Sequence, residues 1–293
     1  MKPSRIPNNL SGAALATATS IPLWKRRQKA LRSFSMIVSR QNQKIKDIRR
    51  LRRCKDDRAI LEGPHLVREA LRAGLHLEFV LTTPEFAQRE ASQEILSRTD
   101  LTVSLVDPAL LDEVCDTDSP RGVVAIASVP PTPLAAIPLV EDGLYLFVDG
   151  LQDPGNLGAL ARSAEAFGGV ALILGPGTVH PNHPRALRAS AGSLLRLPVA
   201  VDTSATDLAT LLQPVTPLWT VLTPRDGVSL AEIPARGALV LTIGAEGPGV
   251  SKPIAAQADL QLTIGLRGEV ESLNATVAAS IALYEISRSR SRA

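Results

Sequence analysis

From residue 144 to the end of the chain, short apolar runs alternate with segments of helical spacing. No other feature narrows the possible folds as much. Strands are expected at 144–149, 170–174, 197–201, 218–222, 238–243 and 260–264. Helices are expected at 156–167, 184–193 and 205–213, with a last one over 273–288 that sets Leu273, Val277, Ile281 and Tyr284 on one face. Repeated strand and helix in this order gives a mainly parallel sheet covered on both faces. The core composition agrees: Ala, Val and Leu dominate and aromatic residues are only 3% of the chain.

The preceding region reads differently. Residues 42–58 form a basic helix in which Lys44, Lys46, Arg49, Arg50, Arg52, Arg53, Lys55 and Arg58 surround the stripe Ile45, Ile48 and Leu51. The three-residue spacing of that stripe suits one helix face. A short strand at 59–61 is punctuated by Gly63 and Pro64, and a helix follows over 65–73. Strand-like runs at 78–82, 102–106 and 122–127 complete a small mixed α/β unit over 37–128. Residues 129–143 hold Pro130, Pro131, Pro133 and Pro138 and read as a stiff, extended linker. The 293 residues thus divide into an extension (1–36), an α/β domain (37–128), a linker (129–143) and a larger α/β domain (144–293).

No acidic residue occurs before Asp47, although Lys and Arg recur throughout that stretch. A basic end on a nearly neutral body either meets a polyanion or is a solvated tail. Residues 1–35 fit a disordered tail or a start displaced from Met36, and less well an organelle transit peptide. Cys54 and Cys115 have no metal-ligand spacing and read as ordinary thiols in a reducing compartment. No apolar run is long enough for a membrane span.

Three segments of the larger domain depart from plain strand-and-helix economy. Asp149 ends a strand, a tight turn follows, and Asn156 is placed to cap the helix that carries Gly158 and Arg162. Arg162 lies off the buried stripe of Leu157, Leu160, Ala161, Ala164 and Phe167, near the carboxyl edge of the sheet, where open α/β sheets bind ligands. A surface pair with Glu165 accounts for it equally well. The second segment is the loop Gly244, Ala245, Glu246, Gly247, Pro248, Gly249, whose glycines permit close backbone approach. In the third, a strand ending near Ile264 gives way to Gly265, Leu266 and a polar loop, then to Ser272, Leu273, Asn274 and an Ala-rich helix start. Ser272 and Asn274 are also simple helix-cap candidates.

Together the segments resemble the SpoU/TrmH family of RNA 2′-O-ribose methyltransferases, of the SPOUT superfamily. The family's Asn-x-Gly-x-x-x-Arg motif is met by Asn156, Gly158 and Arg162. Its Gly-x-Glu-x-x-Gly is met by Gly244, Glu246 and Gly249, and its Ser-Leu-Asn by Ser272, Leu273 and Asn274. An intermediate Arg-x-Ser-x-Gly is met by Arg188, Ser190 and Gly192. The segment from Asn42 to Glu62 and Gly63, with Val67, Glu69, Ala70 and the later Pro120, Arg121 and Gly122, resembles the family's L30e-like substrate-binding domain. The chain departs from the family at Gly265 and Leu266 (usually Pro and Met), at Ala275 (usually Val) and at Leu61 (usually Phe).

The resemblance implies a SPOUT trefoil-knot domain with a mainly parallel sheet behind a small L30e-like α/β domain, a cytoplasmic homodimer, and S-adenosylmethionine as cofactor. It implies catalytic roles for Arg162, Asn156, Glu246, Ser272 and Asn274, and a cofactor site at Thr223, Gly244, Gly249, Ile264, Leu266 and Leu273. It also implies RNA contacts at Lys44, Lys46, Arg49, Arg50, Arg53 and Arg188, and no metal. Ribosomal RNA is favoured over transfer RNA because of the L30e-like domain. Arg162 is credited with activating the ribose hydroxyl in the family. A guanidinium is almost always protonated, so stabilising the nascent alkoxide suits it better than acting as a base.

Two other readings stay open at this point. One is a non-catalytic RNA-binding or ribosome-assembly factor of the same fold. The other is a metal hydrolase built on His180 and His183, which Pro181 and Asn182 keep from aligning on a helix and which have no acidic neighbour in sequence. His65 and His76 read as ordinary surface or half-buried residues.

Overall fold

A computed structural model describes residue 22 and residues 24–26, 35–53, 56–117, 121–267 and 270–292. Cys54, Lys55, Pro120, Gly268, Glu269 and nearly all of 1–34 lie outside the described residues.

Helix α1 (Gln43–Leu51) opens on Asn42, whose side chain accepts from the Lys44 N–H, and buries only Ile45, Ile48 and Leu51. It ends sooner than the basic run suggests. The apolar stripe stops at Leu51, and Arg58 already belongs to strand β1 (Arg58–Glu62). Then come α2 (Pro64–Arg72), β2 (Leu77–Thr82), β3 (Val103–Leu105), α3 (Pro108–Val114) and β4 (Val123–Ser128). The strands make a four-stranded sheet in the order β1-β4-β2-β3, with β4 antiparallel to both its neighbours. Helix α3 escapes sequence reading because it is short, yet Asp107 caps it and Leu110, Leu111 and Val114 are buried. Gly122 is required where it stands. Its φ is +79°, and a Cβ there would lie 2.7 Å from Phe86 Cβ. Of the extension, Trp24 packs half-buried against Ala87, Leu96 and Leu105.

Residues 129–143 are not bare linker. They hold a 3-10 turn (Leu134–Ala136) and bury Ile137. The Tyr145 hydroxyl donates to the Pro138 carbonyl and accepts from the Val140 N–H.

The larger sheet has seven parallel strands: β5 (Leu144–Asp149), β6 (Ala171–Leu174), β7 (Val199–Ala200), β8 (Leu218–Thr223), β9 (Val228–Ser229), β10 (Leu239–Gly244) and β11 (Leu260–Thr263). The order across it is β7-β6-β5-β10-β8-β11-β9. Strand β10 therefore inserts between β5 and β8, in register with both. Besides a four-residue turn of helix at Lys252–Ala255, the helices are α4 (Pro154–Ala166), α5 (Pro184–Ser190), α6 (Ala205–Leu212) and α7 (Ala275–Arg290). One expectation for α7 is reversed: it buries Thr276, Ala279, Ala282, Leu283 and Ile286, while Val277, Ile281 and Tyr284 are exposed. The small residues face inward because α7 lies close against α4, where the Ser163 and Ser280 hydroxyls meet at 2.7 Å. Phe167 is half-buried, its ring edge-on to Tyr284.

Apolar residues of both sheets belong to one buried cluster, which holds Leu61, Leu66 and Val67 together with Ala186, Leu187 and Leu194. No helix among the described residues is long and apolar enough to cross a membrane.

Candidate active site

The site forms at the carboxyl ends of β5, β8 and β10, where parallel strands release their loops on one side of the sheet. After β5, Asp153 rather than Asn156 caps α4, accepting from the Asn156 N–H at 2.8 Å, and Pro154 starts the helix. With the cap supplied by Asp153, the Asn156 side chain is available for tertiary contacts. Its Nδ2 donates to Glu246 Oε1 at 2.6 Å, and its Oδ1 accepts from Asn274 Nδ2 at 3.4 Å. The Asn156 carbonyl accepts from the Thr276 hydroxyl at 3.1 Å. Asn274 meanwhile caps α7, its Oδ1 accepting from the N–H groups of Thr276 and Val277. Asn156, Glu246 and Asn274, from three separate motifs, thus form one hydrogen-bonded cluster.

The loop after β10 is folded back on itself by paired backbone bonds between Ala245 and Gly249, at 3.2 and 3.0 Å. Gly244 cannot be another residue there, because a Cβ would lie 2.0 Å from the Gly249 carbonyl carbon. At the end of β8 the Thr223 hydroxyl donates to the Arg225 carbonyl at 2.9 Å. The Thr263 hydroxyl donates to the Thr223 carbonyl at 2.8 Å, tying β8 to β11.

Between these loops lies a cleft of about 390 Å³. Thr223, Gly244, Gly249, Ile264, Leu266 and Leu273 all line it, together with Glu246, Ser272 and Asn274. Sequence reasoning did not single out the apolar wall of Leu222, Ile243 and Ala278. Their signal was the register of β8 and β10 and the small residues of α7, which place them beside residues already chosen. Ala275 and Leu266, two departures from the family pattern, also face the cleft, whereas Leu61 is buried elsewhere in the core.

Arg162 does not line the cleft. It is exposed on α4, and its side chain makes no hydrogen bond or ion pair among the described residues. The anticipated pair with Glu165 is absent, since Glu165 bonds Arg196 at 2.7 Å and that guanidinium holds its carboxyl below the ordinary value.

The basic residues divide. Lys46 and Arg53 are exposed, and their side chains have no partner among the described residues. Arg49 bonds Glu113 at 2.5 Å, and Arg50 lies 3.6 Å from Asp56. The Lys44 ammonium donates to Ser104 at 2.8 Å and sits over the Phe79 ring; burial lowers its pKa. Arg188, grouped with the phosphate contacts by resemblance, is occupied by Glu62 and Asp116. His183 caps α5 and lies near Asp116 and Asp153, so it does have acidic neighbours in space. Among the described residues, no group of three or more His, Cys, Asp or Glu is placed to hold a metal ion.

A model of the SpoU rRNA methylase family matches residues 143–284, and one of the MRM3-like substrate binding domain matches residues 42–125. The chain is 32% identical over 258 residues to the 23S rRNA (guanosine(2553)-2′-O)-methyltransferase RlmP of Bacillus subtilis, covering 86% of this chain and 99% of that protein. The chain belongs to the SpoU rRNA methylase family. Among solved structures, the AdoMet-bound rRNA methyltransferase of Sinorhizobium meliloti superposes with a TM-score of 0.76 at 27% identity, covering 87% of this chain and 97% of that one. The SpoU methyltransferase AviRb of Streptomyces viridochromogenes, in complex with AdoMet, gives 0.74 at 25% identity, covering 91% and 97%.

This SpoU methylase is an RNA methyltransferase, and its cofactor is S-adenosylmethionine. The cleft fits such a group. Its volume lies within the roughly 300–1,000 Å³ usual for small-molecule sites. Its walls combine apolar side chains with glycine backbone, and a Cβ on Gly247 or Gly249 would meet nothing within 4 Å.

Proposed function

We propose that this chain methylates the ribose 2′-hydroxyl of structured RNA, ribosomal RNA before transfer RNA. The observation that carries the reading is the convergence of Asn156, Glu246 and Asn274 at the cleft, with Asn156 on the helix that also presents Arg162, whose side chain is unpaired among the described residues. S-adenosylmethionine supplies a methyl group on a positively charged sulfur. Main-chain groups around Gly244, Ile264 and Leu273 would hold it, with Leu266 and Thr223 closing the sides. The Asn156–Glu246–Asn274 cluster keeps the motif loops in register and would thereby hold the ribose hydroxyl in place for methyl transfer; such positioning supplies much of the rate.

Arg162 faces the RNA. It grips the phosphate beside the target ribose and stabilises the developing alkoxide, while the proton leaves to phosphate or water. Lys46 and Arg53 add phosphate contacts from the smaller domain. The need for a 2′-hydroxyl selects RNA over DNA. A ribosomal substrate is supported by the relative that acts on 23S rRNA and by the match to an MRM3-like substrate binding domain.

We also propose a homodimer assembled on the exposed side of α7, where Val277, Ile281 and Tyr284 form an apolar stripe open to a partner. The insertion of β10 between β5 and β8 supports a trefoil knot in the larger domain. Residues 37–128 and 144–293 act as the RNA-gripping and methyl-transfer domains, joined through 129–143, and the protein works in the cytoplasm.

The test is incubation with labelled S-adenosylmethionine and ribosomal or transfer RNA from cells lacking the gene, followed by mapping of 2′-O-methyl positions. One discrete mark on ribosomal RNA is expected. Cofactor binding by calorimetry with no mark on any RNA would favour a non-catalytic assembly factor.

A further inference from the structure

The Arg-x-Ser-x-Gly pattern at residues 188–192 lies away from the cleft, at the junction of the two sheets. The Arg188 guanidinium extends from α5 to the smaller sheet, where one nitrogen bonds Glu62 and another bonds Asp116 at 2.9 Å. The Glu62 side chain is wholly buried and also accepts from the Asp116 N–H at 2.5 Å. A buried carboxylate stripped of its cation is strongly unfavourable, so Arg188 and Glu62 require each other.

Further contacts surround the pair. Asn182 donates to the carbonyls of Asp56 and Val129, His65 meets the Ala191 carbonyl at 3.2 Å, and Arg196 pairs with Glu69. Gly192 has φ +97°, and a Cβ there would lie 2.9 Å from the Glu69 side chain. The Ser190 hydroxyl is buried, donating to the Leu187 carbonyl and accepting from the Gly192 N–H, which shapes this turn.

Helix α5 is in turn seated on α4. A Cβ at Gly158 would lie 2.2 Å from the Ala186 carbonyl oxygen, so the two backbones touch. A short, stiff path therefore runs from β1 through Arg188 and α5 to the helix that bears Asn156 and Arg162.

We propose that Arg188 is a positioning residue that locks the RNA-gripping sheet to the catalytic helix and so selects which nucleotide of a bound RNA reaches the cleft. The proposal rests on the methyl-transfer reading and deepens it. A guanidinium already held by two carboxylates does not also neutralise a phosphate, and misplacing reactants by about 1 Å costs about 10²-fold in rate.

Two readouts on the full-length chain test it, using Arg188→Met, Arg188→Lys and Lys46→Ala. The first is RNA affinity over a salt series without cofactor. Lys46→Ala is expected to lower the slope of log K against log salt by about 0.7–0.9, whereas Arg188→Met leaves it unchanged. A drop of that size for Arg188→Met overturns the proposal, because Arg188 would then be a phosphate contact.

The second readout is the map of methylated nucleotides. Arg188→Met is expected to lower kcat about 10²-fold or to spread methylation to neighbouring nucleotides, with cofactor affinity unchanged and partial recovery in Arg188→Lys. A wild-type map at wild-type rate, or a parallel fall in cofactor affinity, overturns it. Should Arg188→Met not fold, Glu62→Gln loosens the same contact and a wild-type map from it is equally fatal. If the wild-type chain itself leaves no methyl mark, the functional reading fails, and the salt series still decides whether Arg188 grips RNA.

Discussion

The role proposed for Arg162 rests on what its side chain lacks. Glu165, its neighbour one turn along α4, is taken by Arg196, so the charge on Arg162 is not spent within the described fold. Replacing an exposed, unpaired side chain should leave stability within about 0.5 kcal/mol. Arg162→Ala is therefore expected to lower kcat by about 10²–10³-fold at unchanged melting temperature and cofactor affinity, measured by single-turnover methylation and calorimetry. Arg162→Lys keeps the charge but not the planar fork; full turnover from it would remove any special role for the guanidinium. Cys115 is the opposite case. Burial, followed by the charges of Glu62 and Asp112, pushes its thiol up to about 12. It should resist alkylation at neutral pH in the folded chain and react once unfolded, a difference that peptide mapping reads at this residue.

At the scale of elements, the contacts that matter are helix ends and helix crossings. Asn274 both caps α7 and reaches Asn156, and the two duties can be separated. Asn274→Ala should lose about 1 kcal/mol of stability together with activity. Asn274→Ser, which keeps a capping oxygen but no amide, should restore the melting temperature and not the turnover. If Asn274→Ser restores both, Asn274 is a cap and nothing more. Gly158 makes the matching point at the α4–α5 crossing. A methyl group there must push the Ala186 carbonyl away, so Gly158→Ala is expected to cost about 1–3 kcal/mol in a denaturant titration, although alanine is the better helix former.

For the molecule as a whole, the junction between the sheets contributes to the response to acid. Burial alone would raise the Asp116 carboxyl, but bonds from Arg188 and the charges of Arg188 and Arg52 outweigh it and hold the group below its ordinary value of 3.8. A carboxyl depressed on folding stabilises the fold at any pH above that ordinary value, and the contribution disappears as pH falls below it. Asp116→Asn should hence be less stable than wild type near neutrality, with the gap closing in denaturant titrations taken below pH 3.8. A gap that stays constant with pH would show that the carboxylate charge is not what stabilises the junction. The exposed stripe on α7 makes a second prediction at this scale. The proposed homodimer predicts a dimer in light scattering for the wild type and a monomer with intact secondary structure for Tyr284→Glu; a wild-type monomer overturns it.

Much of this architecture was legible one segment at a time. The apolar run 144–149 and the strand Leu144–Asp149 coincide, and β6, β7, β8, β10 and β11 lie within a few residues of their expected places, whereas the two-residue strand β9 was not expected. Burial on one or both faces imposes a periodicity that survives in sequence. The residues that line the cleft were legible for another reason: a loop that must bring backbone against a ligand needs glycines and short polar caps at fixed spacing. The tertiary structure alone decided which strands are neighbours, which face of α7 is covered, and which arginines are free. Strand β10 lies between β5 and β8 although neither is next to it in the chain, and Val277, Ile281 and Tyr284 have helical spacing yet face outward. Nothing local in the sequence separates the surroundings of Arg188 and Arg162, but one meets a buried carboxylate 126 residues away and the other meets none among the described residues. Periodicity reports whether a side chain is buried, whereas its partner depends on contacts between distant segments that leave no local pattern.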